Sequence, residues 1–235
     1  MEGGSAGESD RQHQPGRQPA WAVSESEVEK LLCASGVIPV ATVSKSECAG
    51  PLGEALKRGG LPVIELTLRT GAAIDALHRL AADPELLVGA GTVIRPEQVD
   101  AAHDAGARFV VSPGLSARVL DRCHVLGMVA IPGVCTPTDV IAALDHECEL
   151  VKFFPADAFG GPATLDALHG PFPDVRFIPT GGVSLANITG YLALPFVAAI
   201  GGSWIVPRRL GSQEDYETVS QLAKQAVALV GRARS

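Results

Sequence analysis

The 235-residue sequence predicts an α/β fold, a (β/α)8 TIM barrel preceded by an extra N-terminal helix. Three observations lead there. Short apolar runs of strand character alternate with Ala- and Leu-rich amphipathic segments, the pattern of parallel strands joined by crossover helices. The runs number eight, and eight such units in a chain of this length fit one closed barrel. An open doubly wound sheet is the alternative, but no G-x-G-x-x-G opens the first unit.

The elements follow in order. Residues 1–20 are polar, contain Gly and Pro, show no periodicity and read as a disordered tail, leaving 21–235 as one domain. Ser24 and Glu27 have capping-box spacing and open a helix to about residue 34, with Val28, Leu31 and Leu32 on its apolar face. After Gly36 come the strand runs at 37–43, 61–67, 86–90, 108–112, 128–131, 150–154, 175–179 and 196–200. Residues 216–230 carry apolar side chains at helical spacing and form the last outer helix.

Composition narrows the function. Aromatics are only 5% of a chain that is 46% hydrophobic, so the core is built from Ala, Val, Leu and Ile. The net charge of −7 and the lack of a basic block argue against a nucleic-acid partner. No apolar run reaches the length of a membrane span, and residues 2–20 lack a secretory apolar region. Five cysteines, odd in number and without a C-x-x-C, fit reduced thiols in a cytoplasm rather than a disulfide framework or a zinc site. The six histidines share no motif with one another or with a carboxylate; they read as surface residues, and no metal is expected.

The chemistry-bearing residues fall at strand ends, where parallel barrels build their sites. Lys152, one of five lysines, is embedded in the apolar run Leu150-Val151-Lys152-Phe153-Phe154-Pro155. Burial favours a neutral, nucleophilic amine and hence a Schiff-base role; a lysine snorkelling to solvent is the other reading. Phe153 and Phe154 pack the barrel, with one of them facing the site. In Ile64-Glu65-Leu66-Thr67-Leu68-Arg69-Thr70 the alternation sets Glu65, Thr67 and Arg69 on one face. Glu65 is then either an acid/base carboxylate beside an anion-binding guanidinium, or half of a structural pair with Arg69. Gly89 and Gly91 leave room for a ligand near the backbone, and Thr92 adds a hydroxyl. Ser112-Pro113-Gly114 and Ile131-Pro132-Gly133 are turns that can wall a pocket. Pro179-Thr180-Gly181-Gly182, with Ser184 as helix N-cap, and Gly201-Gly202-Ser203-Trp204 place two Gly-Gly turns after the last two strands. That is the usual phosphate position of such barrels.

The ordered set I-E-L-T-L-R-T, G-A-G-T-V, S-P-G, I-P-G, K-F-F-P-A, P-T-G-G and G-G-S-W resembles the bacterial 2-dehydro-3-deoxy-6-phosphogluconate and 4-hydroxy-2-oxoglutarate aldolases, over about residues 21 to 231. The resemblance implies a cofactor-free class I lyase, homotrimeric and cytoplasmic, that releases pyruvate from a 2-oxo-3-deoxy sugar acid phosphate. It implies Lys152 as the Schiff-base lysine and Glu65 as the general acid/base. Arg69 and Thr92 hold the pyruvyl part, Pro113 lines the pocket, and Thr180 lies near the aldehyde end; Phe154, read from its place beside Lys152, is taken as a further substrate-binding residue. Gly181, Gly182, Gly202 and Ser203 lie where this family binds phosphate. The first strand carries no arginine, which tilts the expectation toward the gluconate over the galactonate substrate. A phosphosugar isomerase or epimerase, or a non-catalytic sugar-acid sensor, are the rival readings of the same barrel.

Overall fold

The computed structural model describes residues 24–234; the tail read for residues 1–20 lies outside them. The strands are β1 (Val37–Ala41), β2 (Val63–Thr67), β3 (Leu87–Gly91), β4 (Phe109–Val111), β5 (Val129–Ile131), β6 (Gly133–Val134), β7 (Leu150–Phe153), β8 (Arg176–Pro179) and β9 (Ile200–Gly202). The helices are α1 (Glu25–Ser35), α2 (Ala49–Arg58), α3 (Ala73–Ala81), α4 (Pro96–Asp104), α5 (Ala117–Val125), α6 (Pro137–Leu144), α7 (Gly161–His169), α8 (Ile188–Leu192) and α9 (Gln213–Arg234).

The strand pairs are parallel. They form two ladders, β5-β4-β3-β2-β1-β9 and β6-β7-β8. Two joints close the ring. The fifth run, 128–131, becomes β5, and beyond Pro132, which has no N–H for a ladder, the chain continues as β6; the Pro132 carbonyl still accepts the Lys152 N–H at 2.8 Å. On the other side, single bridges join Phe177 to Val197 and Thr180 to Gly201. The eighth strand starts later than its apolar run suggests. Val197 spends its N–H on the turn leaving α8, donating to the Leu194 carbonyl, so the ladder begins only at Ile200.

Period-two alternation splits the core into two layers. Ile64, Leu66, Val88, Val110, Val151 and Phe177 face outward and meet helix residues such as Leu52, Leu56, Leu77 and Leu80. Ile38, Val63, Phe109, Val129, Leu150 and Ile178 face inward and form a separate cluster. Val28 and Leu32 of α1 belong to that inner cluster, so α1 plugs the N-terminal end of the barrel. The Ser24 hydroxyl accepts the Glu27 N–H at 3.3 Å as expected, and Gly36 at φ +66° ends the helix. Leu31, in contrast, is 47% exposed. The plug buries the i,i+4 pair Val28 and Leu32, with Cys33 packed beside them, and leaves Leu31 outside. Its base is tied by Arg176 to Glu29 at 3.0 Å and by Arg234 to the Cys33 carbonyl at 2.9 Å.

His169 departs from the surface reading. Its ring is half-buried and stacks on Phe196, centroids 3.7 Å apart. Among the described residues no helix is long and apolar enough to cross a membrane, and no His, Cys, Asp and Glu group of three or more could hold a metal ion.

Leu32 is fully buried in the plug. Leu32→Ala is expected to remove about 2–5 kcal/mol of stability, measured by urea unfolding.

Candidate active site

The strand pleat that builds the inner cluster also builds the site. On β7, Leu150 points into the apolar inner layer, and Lys152, two residues on, points the same way about 6.6 Å nearer the C-terminal mouth. On β2 the sequence is Val63, then Glu65, then Thr67. The apolar filling therefore gives way, one pleat up, to a charged layer. Lys152 is 6% exposed and Glu65 3%. Lys152 Nζ lies 3.2 Å from Glu65 Oε1 and 3.5 Å from Oε2. The snorkelling reading of Lys152 fails on this burial. The pairing of Glu65 with Arg69 is not formed; its ion-pair partner is Lys152.

Neighbouring residues hold this contact. The Phe154 ring lies under the amine, its centroid 5.4 Å from Nζ, at cation–π range. A side chain at Gly91 would fall on the Glu65 carboxylate, and one at Gly89 would fall on the Phe109 ring. The space expected for a ligand beside these glycines is thus taken by the protein's own side chains.

Arg69 lies beyond the end of β2, in contact with solvent, so the alternation from Glu65 stops at Thr67. Its N–H turns back to the Thr67 carbonyl at 2.9 Å, and its Nε donates to Thr92 Oγ1 at 3.1 Å. Arg69 and Thr92 thus stand together at the mouth. Thr92 has φ +60°, uncommon for a β-branched residue and of the kind that clusters at ligand sites. Pro113 is half-buried beyond β4, and Thr180 is 5% exposed beyond β8.

The two Gly-Gly pairs differ. Gly181 and Gly182 form a true turn, at φ +95° and +81°, where only glycine is comfortable. Gly201 and Gly202 instead lie inside β9. Gly201 passes so close to Thr180 that a Cβ would strike its side chain. Gly202 is consequently a strand residue rather than part of a turn; exposed Ser203 is the first residue of the turn that follows. The helix N-cap beyond Gly182 is Asn187, while Ser184 opens the preceding turn, its hydroxyl accepting the Ala186 N–H at 3.3 Å.

The sequence reading passed over one hydroxyl pair in the mouth. Thr42 Oγ1 and Thr67 Oγ1 are 2.6 Å apart, one pleat above Glu65. Thr67 could be picked out, since the alternation sets it on the face of Glu65. Thr42 could not, because its place depends on the β1–β2 register, Val40 with Glu65 and Ala41 with Leu66.

A family model for aldolases, KDPG and KHG aldolase, matches residues 28–222. The KHG/KDPG aldolase of Escherichia coli (strain K12) is 44% identical over 208 residues, 88% of this chain and 96% of that one. The crystal structure of the KDPG aldolase of Legionella pneumophila, with pyruvate captured as a covalent carbinolamine intermediate, superposes with a TM-score of 0.80 at 42% identity, covering 84% of this chain and 96% of that chain. The 2-keto-3-deoxy-6-phosphogluconate aldolase of Zymomonas mobilis ZM4 with 3-phosphoglycerate gives a TM-score of 0.83 at 36% identity, covering 88% and 97%.

A methyl group at Gly91 meets the Glu65 carboxylate directly. Gly91→Ala is expected to lower stability by about 1–3 kcal/mol in urea unfolding, and a crystal structure of the variant is expected to show Glu65 out of hydrogen-bonding reach of Lys152.

Proposed function

The chain belongs to the KDPG and KHG aldolase family, and we propose that Lys152 and Glu65 carry its class I cleavage of 2-keto-3-deoxy-6-phosphogluconate to pyruvate and glyceraldehyde 3-phosphate. One observation carries the reading: a buried amine sits 3.2 Å from a buried carboxylate at the C-terminal end of a parallel barrel. The pyruvate carbinolamine in the Legionella pneumophila relative supports it.

On this reading the chemistry takes these steps. A proton moved from Lys152 to Glu65 within their contact leaves a neutral amine. Its lone pair adds to the C2 carbonyl, giving a carbinolamine; Glu65 returns the proton to the departing hydroxyl, water leaves, and an iminium remains. Glu65, again a carboxylate, takes the C4 hydroxyl proton, directly or through a water. The C3–C4 electrons then move into the iminium, the aldehyde departs, and an enamine remains. Protonation at C3 and addition of water release pyruvate and return the amine. Arg69 binds the substrate carboxylate at the mouth, where a guanidinium can take both oxygens, and the Thr92 hydroxyl already bonded to it fixes the fork. Thr180, Pro113 and Phe154 line the rest of the pocket. The substrate phosphate rests at the Gly181–Gly182 turn and at Gly202–Ser203, so remote binding energy orients the bond that breaks.

4-Hydroxy-2-oxoglutarate has the same 2-oxo, 4-hydroxy arrangement and is a second substrate under this reading, giving pyruvate and glyoxylate. The reading also takes residues 21–235 as one domain, working as a cytoplasmic homotrimer; the five free cysteines suit that compartment.

Borohydride added with pyruvate is expected to leave a reduced three-carbon adduct on Lys152 alone, seen by peptide mass. An adduct on another residue, or none, removes Lys152 from the chemistry. Glu65→Gln is expected to slow turnover by about two to four orders of magnitude, the usual worth of general acid–base catalysis. Steady-state pyruvate release measures it, and a near-normal rate returns Glu65 to a packing role.

A further inference from the structure

We infer that Asn187 is a positioning residue that sets affinity for the phosphate end of the substrate. This inference rests on the reading of Gly181–Gly182 as a phosphate-binding turn. It goes beyond that reading by naming what aims the turn.

Three successive carbonyls of this turn are each held by a donor. The Thr180 carbonyl accepts the Ala156 N–H at 2.8 Å, and the Gly181 carbonyl accepts the Asp157 N–H at 2.9 Å. The Gly182 carbonyl accepts Asn187 Nδ2 at 3.1 Å. Backbone makes the first two bonds; the third alone depends on a side chain. In a trans peptide the C=O of one residue and the N–H of the next point in opposite directions. Holding the Gly181 carbonyl therefore aims the Gly182 N–H the other way, and holding the Gly182 carbonyl does the same for the Val183 N–H. Among the described residues, neither N–H donates to a protein group. Two successive free amides in a positive-φ glycine turn make a concavity that receives an anionic oxygen.

Asn187 does two further things. Its Oδ1 accepts the Ser184 N–H at 2.8 Å, which fixes the exit of the turn. Its Nδ2 also reaches Asp157 Oδ1 at 3.4 Å. Asp157 is packed so tightly on Gly182 that a Cβ there would overlap its side chain. A free carboxylate beside a phosphate site repels its ligand, and the carboxamide gives this one a donor on the side of the held carbonyls.

The test compares Asn187→Ala and Asn187→Asp with the unaltered protein on a phosphorylated substrate, 2-keto-3-deoxy-6-phosphogluconate, and an unphosphorylated one, 4-hydroxy-2-oxoglutarate. Inorganic phosphate serves as competitive inhibitor. For Asn187→Ala, kcat/KM on the phosphorylated substrate is expected to fall by about tenfold or more, the loss lying in KM, with a parallel rise in the phosphate inhibition constant. The unphosphorylated substrate and borohydride trapping of pyruvate change far less. Asn187→Asp keeps the acceptor for Ser184 but loses the donor and adds a charge, so it is expected to bind phosphate more weakly than the alanine variant. Equal losses on both substrates reduce Asn187 to a structural residue and overturn the inference, as does an unchanged KM in both variants. If the unaltered protein itself shows no phosphate inhibition and no preference for the phosphorylated substrate, the phosphate-turn reading fails, and this inference fails with it.

Discussion

An ammonium and a carboxylate share a hydrogen bond inside a barrel otherwise filled with aliphatic side chains. Removing two charges from water is expensive, and close contact only offsets it; an apolar pair of equal volume would hold such a barrel as well or better. The surroundings of Lys152 and Glu65 are best understood as conditions for keeping that contact. Gly91 leaves space for the carboxylate, the Phe154 ring covers the amine, and the inner cluster closes the space beneath. Each feature keeps water from dissolving the pair. Under the proposed class I chemistry the expense has a reason, since the amine would have to lose its proton and attack carbon.

Register carries this arrangement to the substrate. Because successive side chains alternate, the apolar layer of Ile38, Val63 and Leu150 is followed, one pleat on, by Glu65 and Lys152, and then by Thr42 and Thr67. Beyond the strands, direction comes from loops: Arg69 leaning on Thr92, and the Gly181–Gly182 turn held by Asp157 and Asn187. The barrel sets depth and the loops set aim, as parallel barrels generally divide the work.

Much of this was legible in the residues. A charge inside an apolar run breaks its own pattern, so Lys152 and Glu65 stood out, and the eight runs announced the strands. Other features were not legible because the same letters serve different physics. Gly-Gly after an apolar run suits a positive-φ turn and a crowded strand equally; Gly181–Gly182 is the first and Gly201–Gly202 the second, and Thr180, distant in sequence, decides it. Leu31 fits a helical stripe, but the barrel end takes in Val28 and Leu32 and leaves Leu31 to solvent. Arg69 continued an alternation that the strand itself abandoned at Thr67. Thr42 and Asn187 are ordinary residues in ordinary places, and their contacts with Thr67 and Asp157 lie 25 and 30 positions away.

The helical plug has a consequence for traffic. With Val28 and Leu32 seated in the lower opening, that end of the barrel is closed by apolar side chains. Under the chemistry proposed for Lys152, the bonded fragment would lie deepest and the phosphate-bearing fragment nearer the mouth. The aldehyde would then leave first, with pyruvate following once water has cleaved its tether. An outer fragment that stalled would find its partner still tethered behind it, placed for the bond to re-form.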